Sequence, residues 1–457
     1  MHDFRFGVAK LFAIAVSAAI GFVVMQSKGV RAQEAAAAAA SPSETIIHYF
    51  GYSASASATP CQTPVADGAA PVGSLTYISS SGLLFGRTTT TVNARPAGGG
   101  VIFQSNTDGS DYQIDHTFPA SVSGTSPDDG FNPRHDSMTI VGDQLFGTAL
   151  EGGESKGGVI FSIGNDGGNY AFTPHQFDAA NVNPTNWGAA AHSCFVNDQP
   201  AGLLYGMTSE GGTQGSGKGN GVIFSFNPVT DVYTPLYDFD GAKNGSDPHG
   251  APILDPSGTT LYGMTREGGK SNQGAIFSFS LTTKKIKNLH SFSCTPGSKG
   301  ACISAHNGAT SDHGKLVQAG KTLYGVTSLG GKYGYGVIFS IHTNGTLFKV
   351  LHSFGAPVVN DGQNPFGSLL LDGTTLYGMT QNGGTGGLGT VFSIQTSGKN
   401  YVKLYDFQGQ LHGFTDGANP IDNVIKIGNT LYGMTENGGC GKSGGNGVIF
   451  ALALPGS

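Results

Sequence analysis

Seven times along this chain of 457 residues a Leu-Tyr-Gly or Leu-Phe-Gly triplet is followed by a glycine-rich link and an apolar run of the Val-Ile-Phe type. The triplets begin at Leu84, Leu145, Leu204, Leu261, Leu323, Leu376 and Leu431, and the unit is clearest in TLYGMTREGGKSNQGAIFSF, from Thr260 to Phe279. Their glycines, Gly86, Gly147, Gly206, Gly263, Gly325, Gly378 and Gly433, are spaced almost evenly, with room in each interval for four short strands and generous loops. Repetition of this kind fixes the architecture first, because each unit must cover its apolar surface with its neighbours.

Every unit holds four strand-length segments bounded by Gly, Pro, Asn or Asp. In the fourth they fall near 251–254, 260–265, 275–279 and 286–292. The strands are apolar on both faces: in Gly221 to Phe226, Val222, Phe224 and Phe226 point one way while Ile223 points the other. Such strands are buried on both sides, which small sheets packed radially provide. With 74 glycines and only 12% charged residues, the chain is turn-rich and all-β. The predicted fold is a seven-bladed β-propeller of four-stranded blades, with the triplet glycine placed where adjacent sheets approach closely.

Six fourth strands end in an aromatic pattern: His116-Thr117-Phe118, His175-Gln176-Phe177, Tyr237-Asp238-Phe239, His290-Ser291-Phe292, His352-Ser353-Phe354 and Tyr405-Asp406-Phe407. The seventh unit stops after its third strand, and an orphan copy, His48-Tyr49-Phe50, precedes the first. The N-terminal strand is therefore expected to complete the last blade, which leaves no open sheet edge.

Residues 1–32 read as an export signal: Arg5 and Lys10, an apolar core from Leu11 to Met25, and a small-x-small site at Val30-Arg31-Ala32. That core is short for a membrane span. Residues 33–44 read as a disordered Ala-rich leader and 45–457 as the propeller. Without the signal, 20 basic residues face 29 acidic ones, which disfavours nucleic acid as a partner. The expectation is a secreted or periplasmic monomer with no membrane span after cleavage. In an oxidising compartment five cysteines allow disulfides. Cys294–Cys302, close together in one loop, and Cys61–Cys440, beside the closing strand and in the last blade, are the expected pairs, with Cys194 left over.

The LYGMT..GG..G.GVIFS unit resembles the tandem GloVer-type repeat, which has been compared with kelch-like propeller repeats. The resemblance runs from Thr45 to the end of the chain. It implies a secreted or surface propeller and brings no catalytic residues with it. Some members end in a sorting or anchor segment, whereas this sequence ends Pro455-Gly456-Ser457.

Several motifs have bland explanations. Gly212 to Lys218, GTQGSGK, matches most of a phosphate loop but has Gly219 where Ser or Thr belongs, and it links two strands rather than opening a helix. The recurring Asp-Gly-x-Asn-Pro at Asp129, Asp361 and Asp416 gathers oxygen ligands but is also turn chemistry; its richest version, Asp238 to Asp247, keeps calcium as a minor alternative. His48, His116, His175, His290 and His352 share one repeat position with Tyr and read as packing residues. His135, His192, His249 and His313 differ: each stands a short way before the triplet glycine of its unit, at the lead-in to the first strand of blades two to five, where blades one, six and seven carry Val72, Phe366 and Ile421. First strands line a propeller channel, so Arg134, His135, Asp136, His192, His249 and His313 are predicted to converge on its mouth opposite an apolar arc, with the lone Trp187 nearby as a stacking candidate. Such a mouth suits an anionic or polar ligand with one apolar face. His192, His249 and His313 are the candidate ligands of a divalent metal, no other cofactor being indicated. Two functions follow: a binding or interaction module for an extracellular carbohydrate, peptide or protein, and, as the alternative, a propeller-fold polysaccharide lyase or hydrolase working at a His-lined, metal-containing mouth.

Overall fold

The structure, a computed structural model, describes residues 42–52, 61, 67–91, 98–119, 129–178, 188–192, 195–213, 219–293, 307–357, 360–409, 416–440 and 444–455, with the side chains of 173–176 and 178 excepted. The signal and nearly all of the leader, Trp187, Cys194, Cys294, Cys302, the His175 side chain and most of the Gly212–Lys218 loop lie outside the described residues.

Seven four-stranded antiparallel sheets form the ring, six of them running outward in chain order. In blade 4 the strands are Ile253–Leu254, Thr260–Thr265, Ala275–Ser280 and Ile286–Ser291, and blades 1 to 3, 5 and 6 repeat that order. Blade 7 takes Ile425–Ile427, Thr430–Thr435 and Val448–Ala453 from the C-terminal end and Ser43–Tyr49 from the N-terminal end. The closing strand runs from Ser43↔Ala453 to Tyr49↔Val448 and so starts slightly before Thr45. It carries the same irregularity, before the His or Tyr of the aromatic pattern, that fourth strands elsewhere carry: between Ile46 and His48 here, and opposite Ile276/Phe277 and Ile338/Phe339 in blades 4 and 5. Cys61–Cys440 ties the segment after this strand to the last blade, as expected from sequence, with its Cα atoms 5.3 Å apart.

Between blades, one Phe–Phe contact recurs. The Phe ending each fourth strand meets the Val-Ile-Phe ring of the next blade: Phe118–Phe161, Phe177–Phe224, Phe239–Phe277, Phe292–Phe339, Phe354–Phe392, Phe407–Phe450 and, across the closure, Phe50–Phe103, with centroids 5.2–5.7 Å apart and the planes steeply inclined. These rings are at most 1% exposed. Offset, inclined aromatic pairs of this kind add about 0.5–1.5 kcal/mol each beyond burial.

The triplet glycine serves a different contact from the one expected. It pairs directly across the strand with the same Phe, as in Gly263↔Phe277, and the ring lies over it: a Cβ at the seven positions would stand 2.3–2.6 Å from the Phe Cζ. Room is made for a ring within the blade, not for a neighbouring sheet. The recurrent histidines whose side chains are described, His48, His116, His290 and His352, are packing residues, as read. His48, His116 and His352 stack on Tyr112, Tyr170 and Tyr401, and His290 stacks on Phe348; Asp67 and Asp361 bond His48 and His352 at 2.7 and 2.8 Å.

A second sevenfold device sets the channel. Ala70, Asn132, Ala190, Asp247, Thr310, Asn364 and Asn419 all adopt left-handed φ of 51–60°. Each donates its N–H to a carbonyl of the preceding blade at 2.7–3.0 Å and accepts, through its own C=O, the N–H of the residue after the Leu-x-Gly-x-x motif of its own blade. Asn tolerates this conformation and Pro fixes the residue that follows, so the recurring Asp-Gly-x-Asn-Pro is a latch between blades. The carboxylates of the calcium alternative are held separately by protein donors: Asp238 by Thr213, Asp240 by Asn244, Asp247 by His249 and Arg266.

Gly263→Ala should lower stability by about 1–3 kcal/mol through overpacking, and Phe277→Leu in the same chain should absorb part of that loss, as read by urea unfolding of both singles and the double; strictly additive losses would refute ring-over-glycine packing. The closure adds a pH prediction. Tyr405 donates to Glu44 Oε2 at 2.5 Å, and burial together with Asp416 pushes the Glu44 carboxyl up to about 8. A raised carboxyl favours the folded state below the unfolded value near 4.5 and loses that contribution as pH climbs to about 8. Glu44→Gln should therefore flatten the fall in melting temperature between pH 5 and 9, and an unchanged slope would refute a protonated Glu44 in the seam.

Candidate functional site

The latch turns each chain into the channel, so the two residues after the one following the left-handed position point toward the axis. Counted from that position, His192 and His249 come second and His135 and His313 third, with Arg134 and Asp312 in the second place of blades 2 and 5. The four histidines thus occupy two adjacent positions rather than one. Neighbouring His192 and His249 stack with centroids 3.9 Å apart. His135 and His313, from blades three apart, stack at 3.6 Å across the channel, and His249 and His313 lie 5.1 Å apart.

Beneath them Asp136 is 2% exposed. Its carboxylate pairs with Lys315 Nζ of blade 5 at 3.0 Å, and its N–H donates to Asp422 of blade 7 at 2.6 Å. It therefore ties blades 2, 5 and 7 together below the mouth and is not among the residues that line it. His135 and Asp136 both have left-handed φ, 45° and 58°, and Arg87 holds that turn by donating to both carbonyls at 2.8 Å.

Above the rings is a cavity of about 360 Å³ to which all seven blades contribute. Arg134 and the four histidines form one wall, and Val72, Phe366 and Ile421 form the expected apolar arc. Sequence reasoning missed a second tier: Thr89, Arg266, Gln381 and Glu436, which also line it, each directly follow the Leu-x-Gly-x-x motif. The signal was present, since this position runs Thr, Leu, Ser, Arg, Ser, Gln, Glu while the motif before it scarcely changes. Arg87 also left a trace, being the charged residue where other copies have Met, Val or Thr.

The two arginines differ in availability. Arg266 is paired through Nη1 with Asp247 at 2.9 Å and through Nε with Asp312 at 3.0 Å. Arg134 uses Nε on Asn132 at 2.8 Å, and its terminal nitrogens have no hydrogen-bond partner among the described residues. Burial pushes the Glu436 carboxyl up, partly offset by Arg134. Burial and then the neighbouring imidazoles hold His135, His192 and His313 well below the usual histidine range, so these rings are neutral at physiological pH. Asp247 is raised by burial but held low by His249 and Arg266; its Oδ1 lies 2.8 Å from His249 Nε2, which orients that ring. All four Nδ1 atoms are buried and lack a partner, a state that costs about 1–3 kcal/mol per group when nothing answers it. One ring nitrogen from each of His135, His192 and His313 lies within 4.8 Å of the others, a set that differs from the expected one by His135 in place of His249.

No curated protein matches the chain. Among solved structures, the extracellular domain of a putative hybrid two component system from B. thetaiotaomicron is similar with a TM-score of 0.52 at 11% identity, over 91% of this chain and 43% of that one. An oligogalacturonate lyase in complex with manganese gives 0.49 at 10% identity, over 91% and 98%, and a putative 6-phosphogluconolactonase from Bacteroides uniformis gives 0.48 at 13%, over 83% and 98%. At such identity the first likeness is one of fold alone, and the other two carry no argument. Residues 128–309 and 302–457 match the model of the Gloeobacter/Verrucomicrobia repeat. Those matches span well over half of the sequence, and the chain belongs to the Gloeobacter/Verrucomicrobia repeat family.

Proposed function

We propose that this propeller is an exported binding module that takes an anionic group, borne on a carbohydrate or peptide, into the mouth of its channel. The observation that carries the reading is the Arg134 guanidinium, whose terminal nitrogens face a cavity of about 360 Å³ without a protein partner among the described residues. A guanidinium recognises a carboxylate or phosphate through paired N–H donors. The apolar arc gives a ring or side chain of the same ligand a surface to cover, and the absence of lysine from the lining leaves recognition to a directional donor rather than a diffuse charge. The Cys61–Cys440 bond supports export, since such bonds persist in oxidising compartments. Among the described residues no helix is long and apolar enough to cross a membrane.

A second reading, catalysis on the bound ligand, is favoured by the raised Glu436 carboxyl in the same lining as neutral imidazoles. One experiment addresses both. An array of oligouronates and neutral oligosaccharides of equal length, probed with the full chain, should retain protein on the acidic members alone. Arg134→Gln should weaken that retention at least about tenfold, as expected for loss of a charge-assisted hydrogen bond. Equal retention of neutral sugars, or indifference to Arg134→Gln, would overturn anion capture. Shortened products released from the array would move the assignment from binder to enzyme.

A further inference from the structure

We infer that His135, His192 and His313 form a three-imidazole site for a divalent transition-metal ion at the base of the mouth, with a coordination position open to the cavity. The inference concerns the cavity described above but stands on the imidazoles alone, independently of which ligand the mouth takes.

Three observations carry it. One ring nitrogen from each of the three residues lies within 4.8 Å of the other two. Donors bound tetrahedrally at about 2.0–2.1 Å stand roughly 3.4 Å apart, so side-chain rotation of no more than about 1.5 Å brings them to a common ion. Second, one nitrogen of each imidazole, Nδ1, is buried without a partner. His135 is 4% exposed and its Nδ1 makes no hydrogen bond, as is true of Nδ1 in His192, His249 and His313. A single buried nitrogen of this kind is tolerable; four grouped on one axis, supplied by four blades, form a cluster of polar atoms that no protein group among the described residues answers. Third, among the described residues no carboxylate joins this cluster: Asp136 is paired with Lys315, Asp247 with His249 and Arg266, and Asp312 with Arg266, while Glu436 lines the cavity outside it. The donor set is therefore nitrogen without oxygen, which suits Zn²⁺, Co²⁺, Ni²⁺ or Cu²⁺ and not Mg²⁺ or Ca²⁺.

The arrangement also has its support. Asp247 fixes the His249 ring, and that ring stacks on His192 at 3.9 Å, so His249 positions a ligand. Arg87 pins the left-handed His135–Asp136 turn through both carbonyls, which aims His135 across the channel at His313. As the donors converge on an ion, the parallel His135–His313 stack opens. Three protein nitrogens leave the fourth position of a tetrahedral ion toward the cavity, the pattern of an open rather than a closed site.

The test uses Zn²⁺ and Co²⁺ as the only probes, on the full chain without a polyhistidine tag, stripped with chelator and shown to be folded. One equivalent of Zn²⁺ should bind by calorimetry, and Co²⁺ should give the strong visible absorption of a four- or five-coordinate ion. His192→Gln and His313→Gln, with unchanged melting temperature in chelator, should each weaken Zn²⁺ binding at least about a hundredfold. His249→Ala should weaken it about tenfold, within the range for a residue that supports a ligand. His135→Ala should behave like the ligand variants, but its strained turn makes the two glutamine variants the deciding ones. Failure of the stripped, folded protein to take up stoichiometric Zn²⁺, or uptake unaltered in both glutamine variants, would overturn the site. Oligosaccharide retention is scored separately, so its loss bears on the anionic ligand while loss of Zn²⁺ uptake bears on these imidazoles.

Discussion

The contact on which the rest of this molecule depends is the Phe–Phe pair between blades. A single four-stranded blade, apolar on both faces, cannot bury those faces alone, and it becomes stable here because both are covered. Each Val-Ile-Phe ring covers the triplet glycine of its own blade on one side and meets the terminal Phe of the preceding blade on the other. One side chain thus joins cross-strand packing to interblade packing, so a defect in either is felt in both. The requirement explains why the seventh contact, Phe50–Phe103, must be supplied from the far end of the chain: a ring with six joints leaves two sheet faces in water. The disulfide and the Glu44–Tyr405 bond both anchor the segment that makes this closure, the first to the rest of blade 7 and the second to blade 6, and closing so long a stretch of chain carries a large entropy loss.

The scaffold and the candidate site use different positions of the same repeat. Positions that carry the packing do not vary, the triplet glycine and the two phenylalanines, and the latch position changes between Ala, Asn, Asp and Thr while keeping its left-handed φ. Positions just beyond the latch and just beyond the Leu-x-Gly-x-x motif point into the channel and bear no packing duty, so they differ from blade to blade. A ring of identical blades would present seven identical groups to the axis. This one presents imidazoles from blades 2 to 5 and apolar groups from 6, 7 and 1, and that asymmetry gives a ligand an orientation.

The fold was legible because periodicity is a physical requirement of a ring: strand count, blade count and the borrowed strand all follow from counting motifs. Part of the site was legible for the opposite reason, since His135, His192, His249 and His313 interrupt the repeat. What sequence alone could not give was their register. The interval from latch residue to triplet glycine is shorter by a single position in blades 2 and 5, from Asn132 to Gly147 and from Thr310 to Gly325, than in blades 3 and 4, from Ala190 to Gly206 and from Asp247 to Gly263. No local pattern announces so small a difference in an irregular segment. Nor could sequence separate Asp136 from Arg134. Only His135 stands between them, yet a turn with two consecutive left-handed residues sends one below the mouth and the other to its lining. The role of the triplet glycine was misread because a glycine's absent Cβ shows that something approaches, not from which side.

That single-position difference in register is what creates the candidate site. His135 and His313 stand nearer to their triplet glycines, Gly147 and Gly325, than His192 and His249 stand to Gly206 and Gly263, and the offset is one full period of an extended chain. An offset of one period keeps side chains on the same face of an extended segment and displaces them along it, so the imidazoles fall on two levels. The contacts follow that division: the close stacks, 3.6 and 3.9 Å, join rings of one level, while His249–His313, His135–His192 and His192–His313 are 5.1 to 6.1 Å apart. On one level, four rings from four successive blades would lie along an arc and face solvent. On two, the deeper pair reaches across the axis from blades 2 and 5, above the Lys315–Asp136 pair, and brings His192 within reach of both. The cavity that Arg134 overlooks thereby gains a base lined by imidazole nitrogens from four blades.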